Sequence, residues 1–492
     1  MNRRRFIATT ALGALASRTL LARSLQPSTG TVTPAGKLVH DCGIPGQGRS
    51  NGAFPAHPNG IRLSRDRYLL LYATRGWRGV DEDRSIVYQV RSGAFNGPIL
   101  KEALLAKSVD DWDPMGDGSK HFKAHGHPGG FGVPKGALIG GQLAGNANLF
   151  VLKWYCYARH FAGPDRLERF LAESSARLAE KTIRVQWVHA RLNDAEDDIE
   201  LLESVSSLRA PGFTELDPLA ERNNQTYTQA QPFNATASEW IDQFMPNWPD
   251  PEQPTASGPV AIKFRYNPGR HRYEWVQTGP RYFPPGIDAI EGGLIRLDDG
   301  WAMYARPFKD ANLPLLWVRM DDPFSRPAKK ILAQQRAGQP IVRGPVTAYR
   351  CADGRIRVFT GSREISPYAN RRHPLYCWEA DPAADFALSK RQVVFDILAT
   401  DPRIRPESEP IADMCKLLPH SGGSTQWIAH RFRTESINYR RERPASTNPE
   451  PQFQISPAVT DHEREAHGIY LARIDYGDSF PDVWDFPRPR SA

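Results

Sequence analysis

The chain has 492 residues, too long for one compact core, so either two ordinary domains or one large repeat architecture is expected. Hydrophobic residues make up 40%, with 12 Trp, 16 Tyr and 22 Phe, which excludes a disordered chain. The formal charge of +8 does not point to nucleic acid: five of the 63 Lys and Arg residues lie in the first 24 positions, which hold no Asp or Glu, leaving 58 basic against 55 acidic. No Lys/Arg stripe with interleaved aromatics appears either.

Those first 24 residues read as a leader. Asn2-Arg3-Arg4-Arg5-Phe6-Ile7 is a charged head, Ala8 to Ala16 an apolar run, and Ser17-Arg18 a polar exit, the layout of an export signal. Arg3-Arg4 with Phe6 and Ile7 resembles a twin-arginine signal, which implies a periplasmic or extracellular destination. The apolar run is far short of the ~20 residues that span a bilayer, and no later segment reaches that length. No integral membrane segment is therefore expected in the mature chain, 25–492. The five cysteines, at 42, 156, 351, 377 and 415, form no Cys-x-x-Cys pair and read as small buried hydrophobes, with neither a zinc site nor a disulfide framework in view.

Pro 42 and Gly 39 favour many short elements joined by turns. A phrase recurs: a strand, a tight Asp/Gly turn, a second strand ending in an aromatic and Arg, then a third strand. It runs through Gly60 to Leu63 with Tyr68 to Tyr72 and Ser85 to Val90. It returns at Gly292 to Leu297, Asp298-Asp299-Gly300, Trp301 to Arg306 and Leu315 to Val318, and again from Thr347 to Thr360 with Pro374 to Trp378. Weaker copies lie in Phe131 to Ala158, Val260 to Val276, and Cys415 to His430 with Ile469 to Ile474. Such meanders bury both faces only when stacked around an axis, so an all-β, six-bladed β-propeller is expected as a single domain. Two insertions interrupt it. Asp165 to Lys181 carries Leu167, Phe170, Leu171 and Leu178 at helical spacing and reads as one amphipathic helix. The polar, Pro-rich stretch from Glu215 to Ser257 reads as a long loop.

Residues equidistant from a hairpin turn face each other across the pair. Glu291 and Arg306 are equidistant from Asp298-Asp299, and His57 and Arg75 from Asp66, so both pairs should meet at the rim of the central cavity. A carboxylate beside a guanidinium suits an anionic or hydroxyl-rich ligand. His125 and His127, two apart on a strand, are expected to point into the cavity together; with Asp81 they form only a weak metal signal. Trp77 and Tyr368 are candidate sugar-stacking surfaces.

On these residues the chain resembles the sialidase superfamily. Tyr68 to Arg75 looks like that family's first return strand, and Asp81 stands where its general acid/base follows. Ser85 to Ser92 is similar to the strand leading into its Asp-box turn, Glu291 to Arg306 to the hairpin carrying its glutamate and one carboxylate-binding arginine, and Arg372-His373-Pro374-Leu375 to the segment bearing another. The chain departs from the family at Ala56-His57-Pro58, where an arginine is usual, at Asp413-Met414-Cys415, where the family has its tyrosine, and in lacking regular Asp-boxes. The resemblance implies an exported glycoside hydrolase acting on an acidic or deoxy sugar of a glycan. Arg75, Arg306 and Arg372 would hold a carboxylate, Asp81 would move the proton and Glu291 would be the second carboxylate, Tyr368 being one replacement for the tyrosine. The alternatives are a polysaccharide lyase using His57 or His127, which the missing tyrosine favours, and a non-catalytic glycan-binding propeller. No cofactor motif is visible, and none is expected.

Overall fold

A computed structural model describes residues 30–39, 55–75, 84–107, 109–111, 120–161, 180–213, 229–246, 248, 250, 252, 254, 258–283, 289–307, 315–326, 345–370, 372–434 and 460–487. Among them the chain is nearly all β and forms a six-bladed propeller of antiparallel sheets. Blade 1 comprises Pro55–Arg62, Arg67–Arg75, Arg84–Ser92 and Ile99–Ala106. Blade 2 is built on Lys120–Val133, Leu149–Phe161 and Glu180–Leu192, and blade 3 on Gln231–Pro232, Glu239–Phe244, Val260–Asn267 and Arg272–Thr278. Blade 4 has three strands, Ala289–Leu297, Gly300–Pro307 and Leu316–Met320. Blade 5 runs through Thr347–Arg350, Ile356–Thr360, Leu375–Asp381 and Ala387–Phe395.

Blade 6 closes the ring. Its inner strands are Pro410–Leu417, Gly423–Thr434 and Gly468–Phe480, and its outer strand is Thr31–Val39, with Thr31 paired to Asp475 and Val39 to Ile469. The first described strand is thus hydrogen-bonded to the last, which closes the ring of blades within one sheet.

The described residues form six cores, one at each junction between blades. Successive residues of a strand point to opposite faces, and in a propeller each face meets a different neighbour. Leu69 and Leu71 therefore pack with Phe150, Leu152 and Val188 of blade 2, while Tyr68, Leu70 and Tyr72 between them pack with Leu418, Ala429 and Leu471 of blade 6. Val358 faces Ala302 and Trp317 of blade 4, and Phe359 faces Ile428 and Phe432 of blade 6. This double burial explains the near-continuous apolar runs such as Tyr68 to Ala73. Each fully buried Leu or Phe contributes about 1.5–3 kcal/mol.

The long loop expected over 215–257 is corrected: residues 231–232 and 239–244 are strands of blade 3, and Trp240, Ile241 and Phe244 are buried core residues. Sparse apolar residues suffice there because Gln243 and Asp242 are buried as well, so polarity did not mean exposure. Of the helix expected at 165–181, the last two residues belong to the strand Glu180–Leu192, and the rest lies outside the described residues, as does the leader. The four described cysteines are each buried and unbridged.

Candidate functional site

Four inner strands carry the same defect. Between Ala56 and Asn59, Gly126 and Gly129, Ile290 and Gly293, and Asp413 and Lys416, the inner strand advances three residues while its partner advances two. The residue after the first of each pair sits in the left-handed region: His57 at φ 52°, His127 at 49°, Glu291 at 48° and Met414 at 56°. A left-handed non-glycine residue costs of order 1–3 kcal/mol, and bulges re-aim side chains. All four line one cavity on the propeller axis, with Lys153, Lys416, Tyr304, Thr347, Pro128, Pro345, Val346 and Gly292.

His57 and His127 stack face to face there, ring centroids 3.7 Å apart and planes 19° apart. The His127 amide donates to His57 Nδ1 at 3.4 Å, and Tyr155 packs on His127 at 4.7 Å. Lys153 is buried against Asp242 of blade 3. Lys416 is also buried, and that burial lowers its ammonium to about 8. Tyr304 floors the cavity because Gly293 lets it: a Cβ at Gly293 would lie 2.6 Å from the Tyr304 hydroxyl.

Glu291 joins this cavity to an arginine cluster. Its Oε2 lies 2.7 Å from Arg306 Nη2. On blade 6, Asp413 is buried and accepts from Arg431 through Nε at 2.6 Å and Nη2 at 3.2 Å, and from Arg372 Nη1 at 3.0 Å. Burial pushes the Glu291 carboxyl above its ordinary value; Arg306, Arg372 and Arg431 pull it back without cancelling that, and Asp413 adds to the rise. At Asp413 the balance reverses: burial raises it, but Arg431, Arg372 and Arg433 outweigh the cost and hold it ionised below the usual range. Two carboxyl groups sharing one set of guanidiniums are thus held apart in acidity, the arrangement that separates a proton carrier from a fixed charge.

The fold brings some of the expected residues together and separates others. Glu291 and Arg306 meet, although Arg306 pairs in register with Ile290, because the bulge displaces Glu291 by one position. Arg372 joins them through Asp413. His57 is not opposite Arg75: Thr74 already pairs with Pro55, and the bulge turns His57 toward His127. His127 lines the cavity but His125 does not; its Nε2 lies 3.1 Å from the Lys107 carbonyl, since the bulge breaks the two-residue alternation. Tyr368 is not among the residues lining the cavity; its hydroxyl donates to both oxygens of Asp396 at 3.2 Å, beside His373. Asp81 and Trp77 lie outside the described residues. Sequence reasoning missed Arg431, Lys153 and Lys416 as site residues. Arg431 is reachable from register alone, as the cross-strand partner of Asp413; the lysines carry no sequence signal.

Neither a protein-family model nor a curated protein matches the sequence. Among solved structures, the chain is similar to a protein of unknown function from Dyadobacter fermentans DSM 18053, at 11% identity and a TM-score of 0.49, over 92% of this chain and 100% of that one. It is similar to Trypanosoma rangeli sialidase in complex with 2,3-difluorosialic acid (8%, TM-score 0.47), over 87% of this chain and 54% of that one. It is also similar to the NanB sialidase of Streptococcus pneumoniae (11%, TM-score 0.42), over 91% and 70%. At these identities the likeness is one of architecture.

Proposed function

We propose that the protein is an exported glycoside hydrolase acting on an acidic or deoxy sugar of a glycan. The observation that carries this reading is the convergence of Glu291, Arg306 and Arg372, from blades 4 and 5, beside one axial cavity. Guanidiniums recognise a sugar carboxylate with geometry as well as charge. Arg306 and Arg372 hold that group, with Arg75 as a third contact, and Asp413 keeps Arg372 oriented. Glu291, expected from the resemblance as the second carboxylate, takes the acid/base role instead: a carboxyl raised by burial takes and returns a proton at the glycosidic oxygen or an attacking water more readily than an exposed one. Asp81 supplies the second carboxyl of the two-carboxylate scheme.

Elimination is the second reading, and the stacked His57 and His127 on the same cavity favour it. A neutral imidazole would remove the proton beside a uronic-acid carboxylate held by the arginines. Incubation with acidic glycans, read by mass spectrometry and ultraviolet absorbance, separates the two. Hydrolysis gives a new reducing end without an absorbing product, elimination gives an unsaturated uronide, and binding without turnover identifies a glycan-binding propeller. Glu291→Gln abolishes hydrolysis; His127→Asn abolishes only elimination.

A further inference from the structure

The inner strands of blades 4, 5 and 6 each pass from one cavity into another. Glu291, Thr347 and Lys416 line the cavity of the histidine stack; further along the same strands, Leu294, Tyr349 and Leu417 line a second one. All three strands make the passage in the same chain direction, so the second cavity lies at the opposite end of the propeller axis. Tyr304, which lines both, stands between them. The second cavity measures about 410 Å³, within the ~300–1,000 Å³ of small-molecule sites. Part of its wall is the chain beyond Phe480, where the last strand of blade 6 has already ended. The buried Arg62 of blade 1 holds Asp482 through Nη1 at 2.5 and 2.6 Å, and its guanidinium lies 4.7 Å over the Phe486 ring. The Leu138 amide donates to the Asp485 carbonyl at 2.6 Å. Between these anchors Val483, 59% exposed, and Trp484 reach the cavity, the Trp484 ring 6.4 Å from that of Trp240 in the same lining.

This lining suits an uncharged amphiphile. Among the described residues it contains no carboxylate, and its one arginine, Arg350, is paired with Asp298. Gln229 donates its side-chain amide to the Gly60 carbonyl at 3.2 Å, and Gln231 to that of Leu294 at 2.7 Å. Both side chains are thereby fixed, and their oxygens remain as acceptors for hydroxyl groups. Trp484 and Tyr349 supply apolar faces, the Tyr349 hydroxyl being taken up by the Cys415 carbonyl at 3.0 Å. A pyranose ring divides in the same way, with C–H groups on its faces and hydroxyls around its rim. We propose that this second cavity is a non-catalytic binding site for a neutral sugar residue, stacked on Trp484 and held through its hydroxyls by Gln229 and Gln231. The site goes beyond the hydrolase reading and stands without it, since neither Glu291 nor an arginine of its cluster lines this cavity.

The test is calorimetric titration of the full chain with the methyl glycosides of glucose, galactose, mannose and rhamnose. At least one is expected to bind, and Trp484→Ala and Val483→Asp are each expected to weaken it by about tenfold, through loss of the stacking face and through a charge set at the apolar rim. Glu291→Gln, at the other end of the axis, is expected to leave it within about twofold. Thermal unfolding without sugar reports whether each variant is folded, and the exposed Val483 keeps the test decisive should Trp484→Ala loosen the tail. Binding that falls in Glu291→Gln but persists in Val483→Asp would put the sugar at the arginine end and overturn the site. So would the absence of binding by all four glycosides, or preference for the apolar probe anilinonaphthalene sulfonate over every one of them. The hydrolase reading is judged separately, by the turnover of Glu291→Gln on acidic glycans, and its failure would leave this site standing.

Discussion

Glu291→Gln should move activity and stability in opposite directions. The carboxyl is largely buried, its side chain 18% exposed, and burial raises it above the ordinary value despite Arg306, Arg372 and Arg431. A group raised on folding contributes stability below its unfolded value, and that contribution is lost as pH rises through the folded one. The ionised form is then the unfavourable one, and each tenfold weakening of the acid corresponds to about 1.4 kcal/mol. Gln removes that cost at neutral pH and forfeits the ion pair with Arg306, which for a pair open at one end is worth about 1 kcal/mol or less. The two effects nearly cancel, so the unfolding free energy should stay within about 1 kcal/mol of wild type, and the variant should gain relative stability as pH rises. Turnover, by contrast, should fall by about 10²–10⁴, the usual contribution of a positioned proton carrier. The assay is product release from acidic glycans by mass spectrometry, alongside denaturant unfolding at pH 5 and pH 8. A variant that retains turnover but loses more than about 3 kcal/mol, the cost of breaking a buried pair, would show Glu291 to be a structural counter-ion and refute the assignment.

Arg431→Met leaves the buried Asp413 with the Arg372 hydrogen bond and the more distant charge of Arg433, and should cost about 3–5 kcal/mol in denaturant unfolding; Arg372→Ala, at a side chain 17% exposed, should cost less and weaken carboxylate binding more. His57→Asn keeps a residue type that tolerates the left-handed region, so stability should hold within about 1 kcal/mol while elimination, if it is the chemistry, disappears from the ultraviolet assay. Gly293→Ala drives a methyl into the Tyr304 ring and should cost about 1–3 kcal/mol by overpacking, read as a lower thermal midpoint. At Glu463, burial raises the carboxyl, but hydrogen bonds from Arg405 and the Thr460 amide bring it down to about 2. That stabilisation is complete above the unfolded value of 4.5 and lost as pH falls toward 2. Glu463→Gln should therefore lower stability at pH 7 and flatten the acid limb of the unfolding curve.

The blades could be read from the chain because their burial is two-sided and regular. Runs such as Tyr68 to Ala73 and Trp301 to Arg306 declare strands whatever surrounds them, and turns such as Asp298-Asp299-Gly300 set the pairing. In blade 3 the repeat at Val260 to Val276 was legible, but the strand Glu-Trp-Ile-Asp-Gln-Phe was hidden because it buries polar side chains that answer partners elsewhere, such as Asp242 against Lys153. Hairpin counting brought Glu291 to Arg306 but sent His57 to Arg75, because it makes no allowance for an extra residue. The warning was present in the sequence: at three of the four bulges Pro or Gly follows the left-handed residue, in His57-Pro58, His127-Pro128 and Glu291-Gly292, and a strand interior tolerates neither well. Met414-Cys415 gives no such warning. Lys153 and Lys416 were beyond reach because only the convergence of separate blades makes them neighbours.

The pairing of Thr31 with Asp475 has a kinetic implication. A sheet that joins the first described strand to the last cannot finish assembling while the ribosome still holds the later one, and contacts of such long sequence separation form late. Until then the edge of Gly423–Thr434 that Gly468–Phe480 will cover is open to other strands. Truncation within Gly468–Phe480 should therefore show itself as aggregation during synthesis before any loss of turnover can be measured.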